Sequence, residues 1–114
     1  MKGISTHVLD ISQGMPARDL GVQLERSESS GRWRTLASAR TGHDGRCSQL
    51  LPEGEIFSPG IYRLAFDTGS YFSKHGIKSL YPVVEVTISV PKGESHFHIP
   101  LLLSAYGYTT YRGT

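Results

Sequence analysis

The chain has 114 residues, 38% of them hydrophobic and 19% charged, a balance that excludes a disordered or fibrous protein and fits one globular domain over residues 1–114. Its single cysteine, Cys47, excludes an intrachain disulfide framework and a thiolate metal site, and favours a reducing compartment. The net charge of +2 comes from scattered basic residues rather than from a stripe, so nucleic acid is not an expected partner.

The sequence gives no indication of a membrane span or of a targeting address. The longest apolar run, residues 99–103, is interrupted by a proline and is far shorter than the roughly 20 residues of a membrane-spanning helix. Residues 1–15 lack the continuous apolar stretch of a secretory signal, and residues 112–114 are not a peroxisomal address. We therefore expect a cytoplasmic protein with no membrane partner; a processed periplasmic form would have the same pattern.

Thirteen glycines and six prolines divide the chain into short segments rich in β-branched and aromatic residues, which is typical of an all-β sandwich or barrel. The pattern predicts strands at residues 4–11, 20–26, 32–40, 46–50, 60–67, 83–90, 96–103 and 105–112. Turn-forming residues separate them at 29–31, 42–45 and 91–94, and the last of these turns predicts a meander of the final three strands. One short helix is predicted at residues 69–76, ending at a glycine.

Two of the predicted strands alternate most clearly. Val84, Val86, Ile88 and Val90 share one face of the strand at 83–90, and an aromatic and aliphatic face marks the strand at 60–67. These patterns suit strands in opposing sheets of a sandwich. The final strand, rich in Tyr and Thr, is expected at a sheet edge, where it would pair with another chain in a symmetric oligomer.

The histidines are the first candidates for chemistry. His96 and His98 stand two residues apart in a predicted strand and so project from the same face. Such a pair could bind a metal or transfer protons, or it could be a polar outer face without function. His7 shares a face with Leu9 and Ile11, which fits either a satisfied core histidine or a site residue.

Arg46 follows a turn at the start of a predicted strand, where its planar donors could bind a carbonyl-rich or anionic ligand or could simply be solvated. Asp10 lies on the face opposite His7 and is interpreted as structural. Cys47 has no histidine at a recognisable spacing, so we expect a buried, inert thiol. The tail at residues 107–114 concentrates tyrosine, threonine and arginine, which predicts a docked element rather than a frayed terminus.

Several segments, taken in chain order, resemble the transthyretin-related 5-hydroxyisourate hydrolases. They are Ser5-Thr6-His7-Val8-Leu9-Asp10, Gly14-Met15-Pro16-Ala17, Asp44-Gly45-Arg46, Gly60-Ile61-Tyr62-Arg63-Leu64, and the run from His96 through Pro100 to Ser104. The closing Tyr111-Arg112-Gly113-Thr114 is similar to that family's terminal tetrapeptide, Tyr-Arg-Gly-Ser, with threonine in place of serine. The resemblance covers essentially the whole chain.

This resemblance implies an all-β, transthyretin-like (prealbumin-like) two-sheet sandwich with one short helix, dimerised edge to edge and assembled as a homotetramer, a dimer of dimers. The implied substrate is 5-hydroxyisourate, a small molecule of purine metabolism. Its six-membered ring would be opened to 2-oxo-4-hydroxy-4-carboxy-5-ureidoimidazoline in urate degradation. No cofactor and no metal are implied.

The family's site residues correspond here to His7, Arg46, His98 and Thr114 as catalytic residues, and to His7, Arg46, Tyr111 and Arg112 as substrate-binding residues. Either His98 or His7 would deprotonate water while the other binds the substrate, and Arg46 would orient the substrate and stabilise negative charge. Thr114 would fix an imidazole. The main alternative is a transthyretin-type carrier of small aromatic ligands that catalyses nothing. A less favoured alternative is a zinc site made of His96, His98 and a symmetry mate.

Overall fold

The computed structural model describes residues 3–114, which form nine strands and one short helix. The elements are β1 (Gly3–Asp10), β2 (Met15–Pro16), β3 (Gly21–Ser27), β4 (Trp33–Arg40), β5 (Arg46–Cys47), β6 (Gly60–Phe66), α1 (Thr68–Lys74), β7 (Val84–Val90), β8 (His96–Ser104) and β9 (Gly107–Thr110). The prediction of an all-β protein with one short helix is confirmed. Within residues 3–114, no helix has the length and apolar character needed to cross a bilayer.

The strands form two sheets. One has five strands in the order β2-β1-β8-β9, with β5 also pairing to β1, and the other has four in the order β4-β3-β6-β7. Strands β1 and β8 are parallel to each other, whereas β8 and β9 form an antiparallel pair. Strand β9 ends its sheet, as the sequence predicts for the last strand.

Two expectations about strand partners are wrong. Strands β6 and β7 are neighbours in one sheet, with Tyr62 opposite Ile88, and do not lie in opposing sheets. The final three strands do not form a meander, because β7 belongs to one sheet and β8 and β9 to the other. Alternation identifies which face of a strand meets the core, but both sheets of a sandwich face the same core, so the pattern cannot assign a strand to either sheet.

The core lies between the sheets and explains why the histidines project outwards. Alternate residues of β1 and β8 are buried in it, among them Ile4, Val8, Leu101 and Leu103. Each such side chain contributes about 1.5–3 kcal/mol when fully buried, so this register is strongly specified. The intervening residues, including His7, His96 and His98, therefore share the outer face of the five-stranded sheet.

A buried carboxylate joins α1 to the end of β1. The hydroxyl of Tyr71 donates to Oδ2 of Asp10 across 2.8 Å, and Ser12 and Gln13 also donate to this carboxylate. Burial by itself would raise the pKa of Asp10, but the hydrogen bonds from Ser12, Tyr71 and Gln13 hold the pKa below its ordinary value. Asp10 is fully buried. Its role is structural, as the sequence indicates.

Candidate active site

Strand β1 brings together residues that are far apart in the sequence, because it lies between β8 and β5. On one side Ser5 is in register with His98, and on the other His7 is opposite Arg46. Ser5 and His7 project to the same outer face, as do His96 and His98 of β8. The sheet thus gathers hydroxyl, imidazole and guanidinium groups onto a single surface.

The turn before β5 holds His7 and Arg46. Gly45 has a φ of +78°, and a Cβ there would collide with the carbonyl oxygen of Val8, so only glycine lets the turn lie against β1. The imidazole N–H at Nε2 of His7 donates to the carbonyl oxygen of Asp44 across 2.8 Å. The Asp44 carboxylate accepts from the amide nitrogen of Arg46 at 3.0 Å, and its other oxygen lies 3.8 Å from Arg46 Nε.

His98 is held through one ring nitrogen. Its Nδ1 lies 2.8 Å from Ser5 Oγ, and the same hydroxyl lies 3.2 Å from Nε2 of His96. Burial, and then repulsion from the Arg46 guanidinium and from the His7 and His96 imidazoles, lower the pKa of His98 below the ordinary histidine value. The lowered pKa favours the neutral form of His98, which is able to accept a proton.

The end of the chain is docked on β8, as the sequence predicts. The amide of Gly113 donates to the carbonyl oxygen of His98 across 2.7 Å. The Arg112 guanidinium donates to the carbonyl oxygen of His96 at 3.1 Å, and its Cζ lies 3.9 Å from the centre of the Phe97 ring. These contacts place Thr114, the last residue, beside the imidazoles.

A cavity of about 210 Å³ opens where these groups meet. It is lined by Ser5, Thr6, Arg46, Ser48, His96, His98 and Thr114. Three of the predicted site residues, Arg46, His98 and Thr114, thus share one cavity.

The other predicted site residues lie around this cavity rather than in its lining. His7 lies next to Arg46, with its Nε2 engaged by the Asp44 carbonyl. Tyr111 and Arg112 line a separate cavity of about 260 Å³ beside β7, and the side chain of Tyr111 is exposed. Arg112 anchors the tail to Phe97 and Glu94.

Sequence reasoning missed three polar lining residues, Ser5, Thr6 and Ser48. The signal that could have found Ser5 is its position two residues before His7, on the same face of β1. Thr6 and Ser48 have no comparable signal, because Thr6 belongs to the inward-facing set of β1 and Ser48 lies just beyond β5.

The donors in this cavity are nitrogen and hydroxyl groups. Within residues 3–114 no group of three or more His, Cys, Asp or Glu side chains is arranged to hold a metal ion. Cys47 is buried, and burial, followed by the Asp44 carboxylate, raises the pKa of its thiol. The arrangement offers a neutral imidazole as a base and a guanidinium for developing negative charge.

Comparison with known sequences identifies close relatives. The profile of the HIUase/Transthyretin family matches residues 4–113. The 5-hydroxyisourate hydrolase of Mus musculus is 46% identical over 112 residues, covering 97% of this chain and 94% of that protein. The 5-hydroxyisourate hydrolase of Pseudomonas aeruginosa is 37% identical over 118 residues, covering 100% of this chain and 93% of that protein.

Solved structures share the fold. The Klebsiella pneumoniae 5-hydroxyisourate hydrolase superposes with a TM-score of 0.86 at 35% identity, covering 100% of both chains. Sea bream transthyretin in complex with thyroxine superposes with a TM-score of 0.90 at 30% identity, covering 97% of this chain and 94% of that chain. The two-sheet sandwich is therefore transthyretin-like. It is shared by a 5-hydroxyisourate hydrolase and by a transthyretin solved with thyroxine, so the backbone does not distinguish catalysis from ligand binding.

Proposed function

Because the chain belongs to the HIUase/transthyretin family, we propose that it is a 5-hydroxyisourate hydrolase. It would open the six-membered ring of 5-hydroxyisourate to 2-oxo-4-hydroxy-4-carboxy-5-ureidoimidazoline in urate degradation. The observation that carries this proposal is that Arg46, His98 and Thr114 line the same cavity. The relatives named as 5-hydroxyisourate hydrolases align with this chain over 94% and 93% of their own length, which supports the same activity.

We assign the general base to Nε2 of His98. Its Nδ1 is engaged by Ser5, whereas its Nε2 has no hydrogen-bond partner within residues 3–114. His7 differs, because it does not line the cavity and its Nε2, which donates to the Asp44 carbonyl, carries a hydrogen. The depressed pKa of His98 keeps its lone pair available at neutral pH. His7 is then the residue that positions substrate beside Arg46.

The reaction follows from these assignments. A water molecule gives one proton to His98 Nε2 while its oxygen adds to the lactam carbonyl carbon, and Arg46 stabilises the oxyanion that forms. The carbon–nitrogen bond of the ring then breaks, and the proton on His98 passes to the departing nitrogen. Thr114 lines the same cavity, and its hydroxyl would fix the imidazole or the attacking water.

Tyr111 and Arg112 would act from the tail. Arg112 ties the tail to β8 through the carbonyl oxygen of His96, and Tyr111 stands exposed next to it. We propose that these two residues keep Thr114 in place and complete the substrate site in the assembled protein.

We propose a homotetramer built as a dimer of dimers. Strand β9 ends its sheet and β7 ends the other, so both have free edges for pairing with a second copy. Large apolar side chains are also exposed in the single chain, among them Ile11, Leu80, Val83, Tyr106 and Tyr108.

The lone thiol of Cys47 fits a reducing compartment, and we propose that the protein acts in the cytoplasm.

The test is turnover of 5-hydroxyisourate freshly generated by urate oxidase. Addition of the protein is expected to make the transient absorbance of this compound disappear faster than it does spontaneously. A protein that bound thyroxine but left the spontaneous rate unchanged would instead be a carrier of the transthyretin type. That alternative is not favoured, because a carrier needs neither a neutral imidazole base nor a facing guanidinium.

A further inference from the structure

The hydroxyl of Ser5 lies between two imidazole rings. Its Oγ is 2.8 Å from Nδ1 of His98 and 3.2 Å from Nε2 of His96, and the residue is only 5% exposed. Ser5 lies 91 residues from His96 and 93 from His98 in the sequence, and the parallel pairing of β1 with β8 brings them together. Ser5 was not among the predicted site residues.

A serine hydroxyl carries one hydrogen, so it can donate to one of the two rings and must accept from the other. When both rings are neutral, two arrangements satisfy both contacts. In the first, Nδ1–H of His98 donates to Ser5 Oγ, and the Ser5 hydroxyl donates to Nε2 of His96. In the second, both directions are reversed, and the hydrogen of His98 is on Nε2.

Only the first arrangement leaves a lone pair on Nε2 of His98. We propose that Ser5 and His96 are positioning residues that hold His98 as its Nδ1–H tautomer, with Nε2 free to accept a proton from water. This inference rests on the proposed function, which assigns the base to that nitrogen. His96 acts here through Ser5 and does not need to touch the substrate.

The surroundings of His96 suit the role of a fixed acceptor. Its carbonyl oxygen accepts from the Arg112 guanidinium at 3.1 Å, and that guanidinium lies over the Phe97 ring, so the backbone at His96 is held from the tail side. On the other side, Gly3 pairs with His96 in the β1–β8 register. A backbone held on both sides helps to keep Nε2 of His96 within reach of the Ser5 hydroxyl.

The tautomer can be read directly from long-range ¹H–¹⁵N NMR spectra of the ¹⁵N-labelled protein without substrate, at a pH where His98 is neutral. The expected spectrum shows His98 protonated at Nδ1 and unprotonated at Nε2, and His96 unprotonated at Nε2. In Ser5→Ala, the Nε2–H form of His98 is expected to gain population. A wild-type His98 protonated at Nε2 would overturn the inference, even if the protein hydrolyses 5-hydroxyisourate.

Kinetics supply the second readout. Ser5→Ala is expected to lower kcat about 10- to 100-fold, part of the roughly 10²- to 10⁴-fold that a positioned base contributes, with KM nearly unchanged. The control is Ser38→Ala, an exposed serine of β4 in the other sheet, which is expected to keep the wild-type rate. A Ser5→Ala protein that is folded and has wild-type kcat would overturn the inference.

The pair His96→Gln and His96→Phe tests the same point without touching Ser5. Glutamine keeps an acceptor for the Ser5 hydroxyl, so most activity and the Nδ1–H form of His98 should survive. Phenylalanine removes the acceptor, which frees the Ser5 hydrogen to donate to His98 and should favour the inactive tautomer. Equal activity and equal His98 spectra for the two variants would contradict the proposal. Failure of the proposed function is a separate result, because it would appear as a wild type with the expected tautomers and no turnover.

Discussion

The amide nitrogen of Gly113 donates to the carbonyl oxygen of His98 across 2.7 Å, which lays the end of the chain directly against the imidazole. A Cβ at Gly113 would lie 2.7 Å from Cδ2 of His98 and 3.2 Å from Cγ of Pro100. The approach therefore depends on the absence of a side chain at position 113. Thr114 reaches the cavity because its neighbour is glycine.

Replacement of Gly113 should move the tail away from His98, the proposed general base. In Gly113→Ala, the new methyl group must push the tail away from His98, and a displacement of about 1 Å at a reacting group can cost up to about 100-fold in rate. We expect kcat/KM to fall by about 10- to 100-fold while the circular dichroism spectrum stays unchanged. Gly107→Ala is the control, because its Cβ would meet only Ser104 Oγ, at an ordinary 3.7 Å. Equal activity of the two variants would contradict the proposed role of the tail.

Removal of the positive charge of Arg46 should raise the pKa of His98. That charge is one of the causes that hold the pKa below 6.5, after burial, so Arg46→Gln moves the pKa upwards. An NMR titration of the His98 ring protons measures the shift, with Arg34→Gln as a remote control. Because the base must be neutral, wild-type activity is lost as the pH falls through this lowered pKa. The residual activity of Arg46→Gln should be lost at a higher pH, and an unchanged or lower pKa would refute the account.

Asp44 should matter for the position of Arg46 more than for stability. Its ion pair with Arg46 is long, at 3.8 Å, and both side chains are about half exposed or more, so it contributes little to folding. Asp44→Ala also loses the acceptor for the Arg46 amide, and we expect a roughly tenfold lower kcat/KM. Asp44→Asn keeps that acceptor and should retain most of the activity in steady-state assays. An Asp44→Asn variant as impaired as Asp44→Ala would show that the turn contact is not what positions Arg46.

The Tyr71–Asp10 hydrogen bond should be worth measurable stability. Tyr71→Phe leaves the buried Asp10 carboxylate without one of its donors, which is expected to lower the free energy of unfolding by about 1.5–3 kcal/mol at pH 7. Urea unfolding at matched protein concentration measures the difference.

The effect of Tyr71→Phe should depend on pH in a defined direction. The pKa of Asp10 is lowered in the folded protein, so the stability that this carboxylate contributes is fully present above the pKa of the unfolded chain, about 3.9. It is lost as the pH falls through the lower folded pKa. The difference between wild type and Tyr71→Phe should therefore shrink in strong acid, and a difference that grew there would contradict this assignment.

The sequence predicted the elements better than their partners. The predicted helix at 69–76 is α1 at Thr68–Lys74, and its start is set by Asp67, whose carboxylate accepts from the Ser70 amide. Strand β2 was missed, because two residues, Met15 and Pro16, are too short for any periodicity to be visible. The predicted strand at 105–112 ends in the structure at Thr110, and residues beyond it turn onto β8.

The sequence points to lining residues that their chemistry marks and not to those that only the strand pairing brings into the cavity. Arg46, His98 and Thr114 share the cavity, as the family resemblance leads one to expect. For Ser5 the sequence offers only its place two residues before His7, because its contacts come from a parallel pairing with a strand more than 90 residues away. The sequence does not decide whether His7 points inwards or outwards, because Leu9 and Ile11 on its face look like core residues. In the structure the opposite face, with Ile4 and Val8, is the buried one.

The proposed role of His98 is that of general base in the hydrolysis of 5-hydroxyisourate. Comparison of wild type with His98→Asn tests this role most directly. Urate oxidase generates the substrate, and the decay of its transient absorbance is followed at equal protein concentrations. Wild type is expected to accelerate the decay, and His98→Asn is expected to lose about 10²- to 10⁴-fold of that acceleration. A folded His98→Asn protein with the wild-type rate, or a wild type no faster than the spontaneous reaction, would contradict it.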